Sequence, residues 1–263
     1  MTQTDKMLAH KDAGVGVVTF NNPERHNAVS LEMWEATKTI LDAFAVDDDV
    51  RVVVLTGAGG KAFVSGADIS KFGSERASIE ATRAYDVTTA ATFNSIYDFP
   101  KPTIAMIRGY CVGGGVGLAA CCDLRVCSDN SRFAVPAAKL GLGYAYAGIK
   151  RLTDIVGPAF AKEIFYTARQ FDAPEAFAMG LVNRVVPAAE LESYVRSITD
   201  MICANAPLTI KAAKFAIDAS LEDESQRDMA RVDQLVDACF ASRDYTEGRT
   251  AFMAKRKPVF TGK

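Results

Sequence analysis

Four short runs dense in Val, Ile and Thr constrain this chain most: Val15 to Phe20, Val50 to Thr56, Thr103 to Ile107 and Leu124 to Cys127. Each is bounded by Gly, Asp or Pro and is apolar on both faces, as strands buried from both sides are. Helical spacing lies between them. Leu31, Trp34, Ile40, Leu41 and Phe44 recur at that spacing behind Ser30, a good N-cap residue. A second helix is expected from Glu75 to Tyr97, ending before Pro100-Lys101-Pro102 because proline disfavours the helical conformation of the preceding residue. The alternation predicts an α/β sheet.

The second half is mostly helical. Pro158, Pro174 and Pro207 sit where first helical turns begin, and Gly180 is placed to end a helix. Apolar spacing is helical from Leu191 to Cys203 and from Met229 to Phe240. No linker, low-complexity stretch or sequence repeat stands out, and any boundary falls near Gly141 to Gly157.

With 263 residues, 49% of them hydrophobic, the chain can bury the core of one large domain, or of one main domain with an appendage. Its net charge of −2 removes the long-range attraction that nucleic acid or an anionic membrane would need, so neither is an expected partner. Met1 to Lys11 is polar and mixed in charge, unlike a signal or transit peptide, which predicts a cytoplasmic protein. Six cysteines without a CxxC spacing predict buried thiols, with no disulfide framework and no metal site.

Familiar site motifs fail on particular residues. Gly57-Ala58-Gly59-Gly60-Lys61 follows a strand, but Leu55 and Ala62 stand where a phosphate loop needs Gly and Ser or Thr. Gly115 to Ala120 matches GxGxxA, yet the next strand begins around Leu124, too soon for a dinucleotide-binding crossover. GxSxG is absent, and the only histidines, His10 and His26, lie near no plausible nucleophile in sequence. Two glycine-marked strand-to-helix turns remain, Ser65-Gly66-Ala67-Asp68-Ile69 and Gly113-Gly114-Gly115-Val116-Gly117. A single such turn is explained by tight packing. A pair can bring two bare backbone N–H groups together, as an oxyanion hole requires.

These residues resemble the crotonase, or enoyl-CoA hydratase/isomerase, superfamily. The resemblance runs through Asn21-Asn22-Pro23-Glu24-Arg25-His26-Asn27-Ala28, Phe63 to Ile69, Gly109 to Gly115, Cys122-Asp123-Leu124-Arg125, Ala176 to Val182 and Phe252 to Pro258. It implies a ClpP-like spiral of β-β-α units over residues 1–200 and a helical trimerisation region over 201–263. Trimers or paired trimers follow, with acyl-CoA thioesters as substrates and no cofactor beyond the coenzyme A of the substrate. The Ala67 and Gly114 N–H groups are then the oxyanion hole. Arg25, His26, Ala28, Phe63, Asp68 and Ile69 join them in binding substrate, and Phe252 and Lys255 reach the CoA nucleotide, often from a neighbouring subunit.

Hydratases of this family carry one glutamate two residues after the triple glycine and another directly after the proline of the following strand. Gly117 and Ala137 hold those places here. Each proton-transfer group typically contributes about 10² to 10⁴ in rate, so hydration should be severely weakened. The stretch Pro136 to Tyr144 is similar instead to methylmalonyl-CoA decarboxylases, in which a tyrosine at the Tyr144 position contacts the substrate carboxylate. Those enzymes have histidine where this chain has Ala67. Tyr144 and Tyr146 can equally be loop residues with hydroxyls in water. The leading expectation is decarboxylation of a malonyl-type CoA through a thioester enolate. One alternative is hydration or isomerisation using another acid such as Asp68 or Tyr144, and another is a non-catalytic acyl-CoA-binding protein.

Overall fold

A computed structural model of the chain describes residues 4–75 and 77–263. In chain order the strands are β1 (Met7–Asp12), β2 (Val15–Phe20), β3 (Val52–Gly57), β4 (Ala62–Val64), β5 (Thr103–Ile107), β6 (Tyr110–Val112), β7 (Leu124–Ser128), β8 (Arg132–Ala134), β9 (Phe171–Asp172) and β10 (Arg184–Val186). The helices of the first half are α1 (Leu31–Val46), α2 (Phe72–Glu75), α3 (Ile79–Tyr97), α4 (Gly114–Cys121) and α5 (Ala137–Leu140). Those of the second half are α6 (Tyr146–Thr167), α7 (Ala173–Ala178), α8 (Leu191–Ala204), α9 (Pro207–Ser220), α10 (Met229–Ala241) and α11 (Arg243–Met253).

The strands form a six-stranded sheet in the order β1-β2-β3-β5-β7-β10 and a four-stranded sheet in the order β4-β6-β8-β9. Only β1 and β9 run antiparallel to their neighbours. The pairs β3/β4, β5/β6 and β7/β8 each place one strand in each sheet before the chain turns into a helix. This is the expected spiral of β-β-α units. Their repeat is topological, since the three turns share no sequence period.

All four β-branched runs are strands, and each lies in the six-stranded sheet. Alternation in β3 shows why: Val53 and Leu55 enter the main core, whereas Val52 and Val54 enter a second cluster with Leu191 and Val195 of α8. Both faces are covered, so the run is continuously apolar.

The expected helix from Glu75 to Tyr97 divides into α2 and α3, with position 76 outside the described residues. Ser78 caps α3 by accepting a hydrogen bond from Ala81 N at 3.1 Å. Ser30 does precede α1, but its hydroxyl makes no cap; Glu75 Oε1 accepts from Leu31 N at 3.1 Å instead. Pro158 begins a helical segment as expected, after a break at Gly157 (φ 73°, ψ 165°) that α6 bridges. The segment read as merely polar near the N-terminus forms β1 from Met7 onward, while residues 1–3 lie outside the described residues. Among the described residues no helix is long and apolar enough to cross a membrane.

Candidate active site

β4 and β6 are parallel neighbours, Ala62 pairing with Tyr110 and Val64 with Cys111, so their carboxyl ends open side by side. Each is followed by one of the two glycine turns. That juxtaposition is what brings the turns together.

The first turn is braced from the segment preceding α1. Asn27 Nδ2 donates to Ala62 O at 2.7 Å and Ala58 O at 3.0 Å, and its Oδ1 accepts from Asn22 N at 2.9 Å. Ser65 N donates to His26 O, Val29 N to Gly66 O and Asp68 N to Val29 O, at 2.9 to 3.1 Å. In this parallel bridge the residues flanking Ala67 supply the partners of Val29, so the N–H of Ala67 itself points the other way. Among the described residues it donates to no acceptor.

The second turn enters α4. Gly113 has φ 55° and ψ −114°, a conformation that favours glycine, and its N–H donates to Ala134 O at 2.8 Å. Gly114 is the first helical residue, so its N–H has no carbonyl one turn back and again donates to no acceptor among the described residues. A Cβ on Gly114 would lie 3.9 Å from Ala67 N, and one on Gly66 would lie 3.7 Å from Gly114 N. The two unspent donors therefore sit against each other. Gly115 keeps them there: a Cβ on it would stand 2.1 Å from Val64 O, so only glycine lets α4 rest on β4.

Both donors open into a cavity of about 430 Å³. Ala67, Gly113 and Gly114 line it with Ile69, Ala137 and Tyr144, and α3 adds Thr82, Tyr85, Asp86, Thr89 and Phe93. Trp34 joins the two sides. Its ring carbon Cζ2 is 3.8 Å from where a Gly114 Cβ would be, and its Nε1 donates to Tyr85 Oη at 3.1 Å. The Thr82 and Thr89 hydroxyls donate to carbonyls of Ser78 and Tyr85, both at 2.9 Å. The Tyr144 ring packs edge-on against Phe165 at 5.2 Å, and its Oη lies 3.8 Å from where a Gly113 Cβ would be. Burial pushes the Tyr144 phenol above its ordinary pKa, which keeps it a neutral donor.

The other candidates are placed differently. Asp68 is buried but does not line the cavity; its Oδ1 accepts from Ser70 N at 3.1 Å and Ser70 Oγ at 2.7 Å and lies 3.6 Å from Arg25. It caps a short 3-10 turn over Ile69–Lys71, and Arg25 holds the same turn through Ser70 at 2.9 Å. His26 has φ 52° and sets its ring edge-on to Tyr110 at 5.9 Å. Ala28 is buried, and Phe63 is a fully buried ring packed on Phe20. Phe252 and Lys255 are not on this cavity: Phe252 borders another, of about 740 Å³, among α9, α10 and α11. Tyr146 is exposed at the start of α6.

Of the two positions where glutamates would be expected, Ala137 lines the cavity and Gly117 does not; a Cβ on Gly117 would lie 3.5 Å from the Phe93 ring, which does line it. The cavity has one carboxylate among the described residues, Asp86. Sequence reasoning missed it. The spacing of Thr82, Asp86, Thr89 and Phe93 along one helical face was the available signal.

The sequence model of the enoyl-CoA hydratase/isomerase family matches residues 10–263. The chain belongs to that family. It is 34% identical over 255 residues to a short-chain-enoyl-CoA hydratase of Clostridium acetobutylicum, covering 97% of each. With a crotonyl-CoA hydratase of Syntrophomonas wolfei it shares 35% over 259 residues, covering 98% of this chain and 99% of the relative. A crystal structure of an enoyl-CoA hydratase/carnithine racemase from Magnetospirillum magneticum superposes with a TM-score of 0.94 at 38% identity, over 99% of this chain and 97% of that one. The crotonase fold expected from the sequence is thus present over the whole spiral. The expected closeness to methylmalonyl-CoA decarboxylases has no counterpart among these relatives, whose names are those of hydratases.

Proposed function

We propose that the chain is an enoyl-CoA hydratase/isomerase-type enzyme that holds an acyl-CoA thioester carbonyl between Ala67 N and Gly114 N. The observation that carries this is the pair of unspent N–H donors facing one cavity. Negative charge that develops on the carbonyl oxygen during enolate formation would meet rigid dipoles, and one such donor is typically worth about 2.7 to 4 kcal/mol. The hydratase names of the relatives support this reading over the decarboxylase expected from the sequence. Because Gly117 and Ala137 cannot move protons, the acid–base group must come from elsewhere in the cavity. The coenzyme A part of the substrate is the only cofactor implied. Residues 201–263 are proposed as the contact region of a homotrimer or paired trimers.

A second reading rests on Tyr144. A neutral phenol beside the glycine turn could orient a substrate carboxylate without strong ion pairing, and loss of carbon dioxide would form the enolate with no base at all.

The test offers crotonyl-CoA, 3-butenoyl-CoA and malonyl-CoA to purified protein and resolves the products by mass. Hydration or isomerisation supports the first reading. Carbon dioxide release from malonyl-CoA that is abolished by Tyr144→Phe supports the second. Failure to bind any of the three, measured by calorimetry, overturns both.

A further inference from the structure

We infer that this cavity selects thioesters whose acyl group carries an aromatic ring at or just beyond Cβ, and that Phe72 and Phe93 are the residues that set this preference. The inference rests on Ala67 and Gly114 holding the thioester carbonyl. Five rings line the cavity, those of Trp34, Phe72, Tyr85, Phe93 and Tyr144. Packing explains two of them: Trp34 and Tyr85 are buried and joined by a 3.1 Å hydrogen bond, so they belong to the core as much as to the cavity. The other three are half-buried and come from α2, α3 and the segment between α5 and α6, so each leaves part of its ring to the cavity. Each is also fixed by an edge-on neighbour. Phe72 meets Tyr85 at 6.3 Å, Phe93 meets Trp34 at 5.3 Å and Tyr144 meets Phe165 at 5.2 Å. The charged side chain of the lining, Asp86, is solvent-exposed, so among the described residues the enclosed part of the wall is uncharged.

A rigid aromatic wall discriminates by shape and by electrostatics. A planar aryl group has few torsions to freeze on entering it, whereas an alkyl chain must order each of its bonds. Ring pairs also attract beyond the area they bury, because the edge of one quadrupole meets the face of another. Position points to Cβ. Trp34 Cζ2 lies 3.8 Å from where a Gly114 Cβ would be, beside the oxyanion donor, and the Phe93 ring lies 3.5 Å from where a Gly117 Cβ would be. Gly117 follows Gly114 by three residues, about 4.5 Å along α4. A ring attached at Cβ spans that distance from a carbonyl held at the donors. Ala137 presents only a methyl to the lining, and the cavity of about 430 Å³ is of a size that admits such a group.

The experiment measures the affinity of the full chain for 3-phenylpropanoyl-CoA, 3-cyclohexylpropanoyl-CoA and butyryl-CoA by calorimetry. Saturated acyl groups keep ring conjugation from altering reactivity, and the cyclohexyl compound has the same carbon skeleton with more apolar character, so burial of area alone would favour it. The expected result is that the phenyl compound binds at least about fivefold more tightly than the cyclohexyl one, since a single ring pair is typically worth about two- to tenfold beyond its area. Phe72→Leu combined with Phe93→Leu should cut that ratio to below about twofold, and Phe93→Leu alone should lower it part-way if the double variant fails to fold. The ratio is the readout because a general loosening of the cavity weakens both compounds alike. A wild type that binds butyryl-CoA but does not prefer the phenyl compound overturns the inference alone. An unchanged ratio in the variants removes Phe72 and Phe93 from selection and overturns it as well. If none of the three thioesters binds, the oxyanion-hole reading fails with it.

Discussion

Gly115 and Gly148 show how much a missing Cβ can mean at one position and how little at another. At Gly115 the added atom would stand 2.1 Å from Val64 O and 3.0 Å from Val64 C, both backbone atoms that cannot rotate away. Gly115→Ala must therefore part α4 from β4 and carry Gly114 N with it. Overpacking of this kind typically costs about 1 to 3 kcal/mol, and a displaced donor should lower acyl-CoA turnover by more than tenfold. Urea midpoints and rates measured together check this; a stable, fully active variant would show that the turn tolerates a wider approach. Gly148 lies inside α6 with nothing within 4 Å of its Cβ position. Gly148→Ala should raise stability by about 0.5 to 1 kcal/mol, because alanine loses less chain entropy on entering a helix. A lower melting temperature would contradict that.

Among the elements, β-branched composition marked the four central strands because both their faces are buried. The strands of the second sheet carry no such mark, and two of them, β4 and β6, were legible only through the glycine turns that follow them, for a physical reason. β4, β6 and β8 have three residues each and β9 has two, too few for a period of two to emerge. β1 is nearly all exposed and carries His10, Lys11 and Asp12, which suits a sheet edge but reads as a tail. The site was legible to the same extent: its glycine turns stand out in the chain, whereas the β4–β6 pairing that joins them does not. Asp86 was not picked out because its helical spacing with Thr82, Thr89 and Phe93 acquires meaning only once what α3 packs against, here Trp34 of α1, is known. Pro174, by contrast, did announce α7. That helix begins with a reciprocal cap in which Glu175 N donates to Asp172 Oδ1 at 3.0 Å and Asp172 N donates to Glu175 Oε2 at 3.1 Å. Asp172→Ala should cost about 1 kcal/mol, read as a lower denaturant midpoint at unchanged slope. No shift in the midpoint would mean that the Phe133–Phe171 stack alone positions this helix.

At the scale of the molecule, the C-terminal tail ties the last helices back onto the first sheet. Arg51, just before β3, donates to Phe260 O at 2.6 Å and to Cys203 O at 3.3 Å. Buried Asp244 accepts from Thr261 N at 2.7 Å and Gly262 N at 2.8 Å, while Glu247 receives the Arg256 guanidinium at 2.6 to 2.8 Å and Val259 N at 2.9 Å. These contacts shape α11, whose Phe252 and Met253 are 83% and 82% exposed and form part of the region proposed for contact between subunits. Arg256 and the Val259 N–H hold the Glu247 carboxyl down at about 2, from an ordinary value of 4.5. A depressed carboxyl stabilises the folded tail above its unfolded pKa, and that contribution disappears as pH falls through the folded value. The tail should therefore hold at pH 5 and loosen between about pH 4.5 and pH 2, sooner in high salt because the pair is near the surface. Hydrogen exchange at residues 256–263 reads the release, and sedimentation over the same range reads whether the proposed oligomer forms and follows it. Glu247→Gln should leave the tail looser at pH 5 and flatten its response to acid. Equal protection at pH 5 and pH 2.5 in the wild type, or an unaltered acid response in the variant, would mean that Asp244 and Arg51 hold the tail without Glu247.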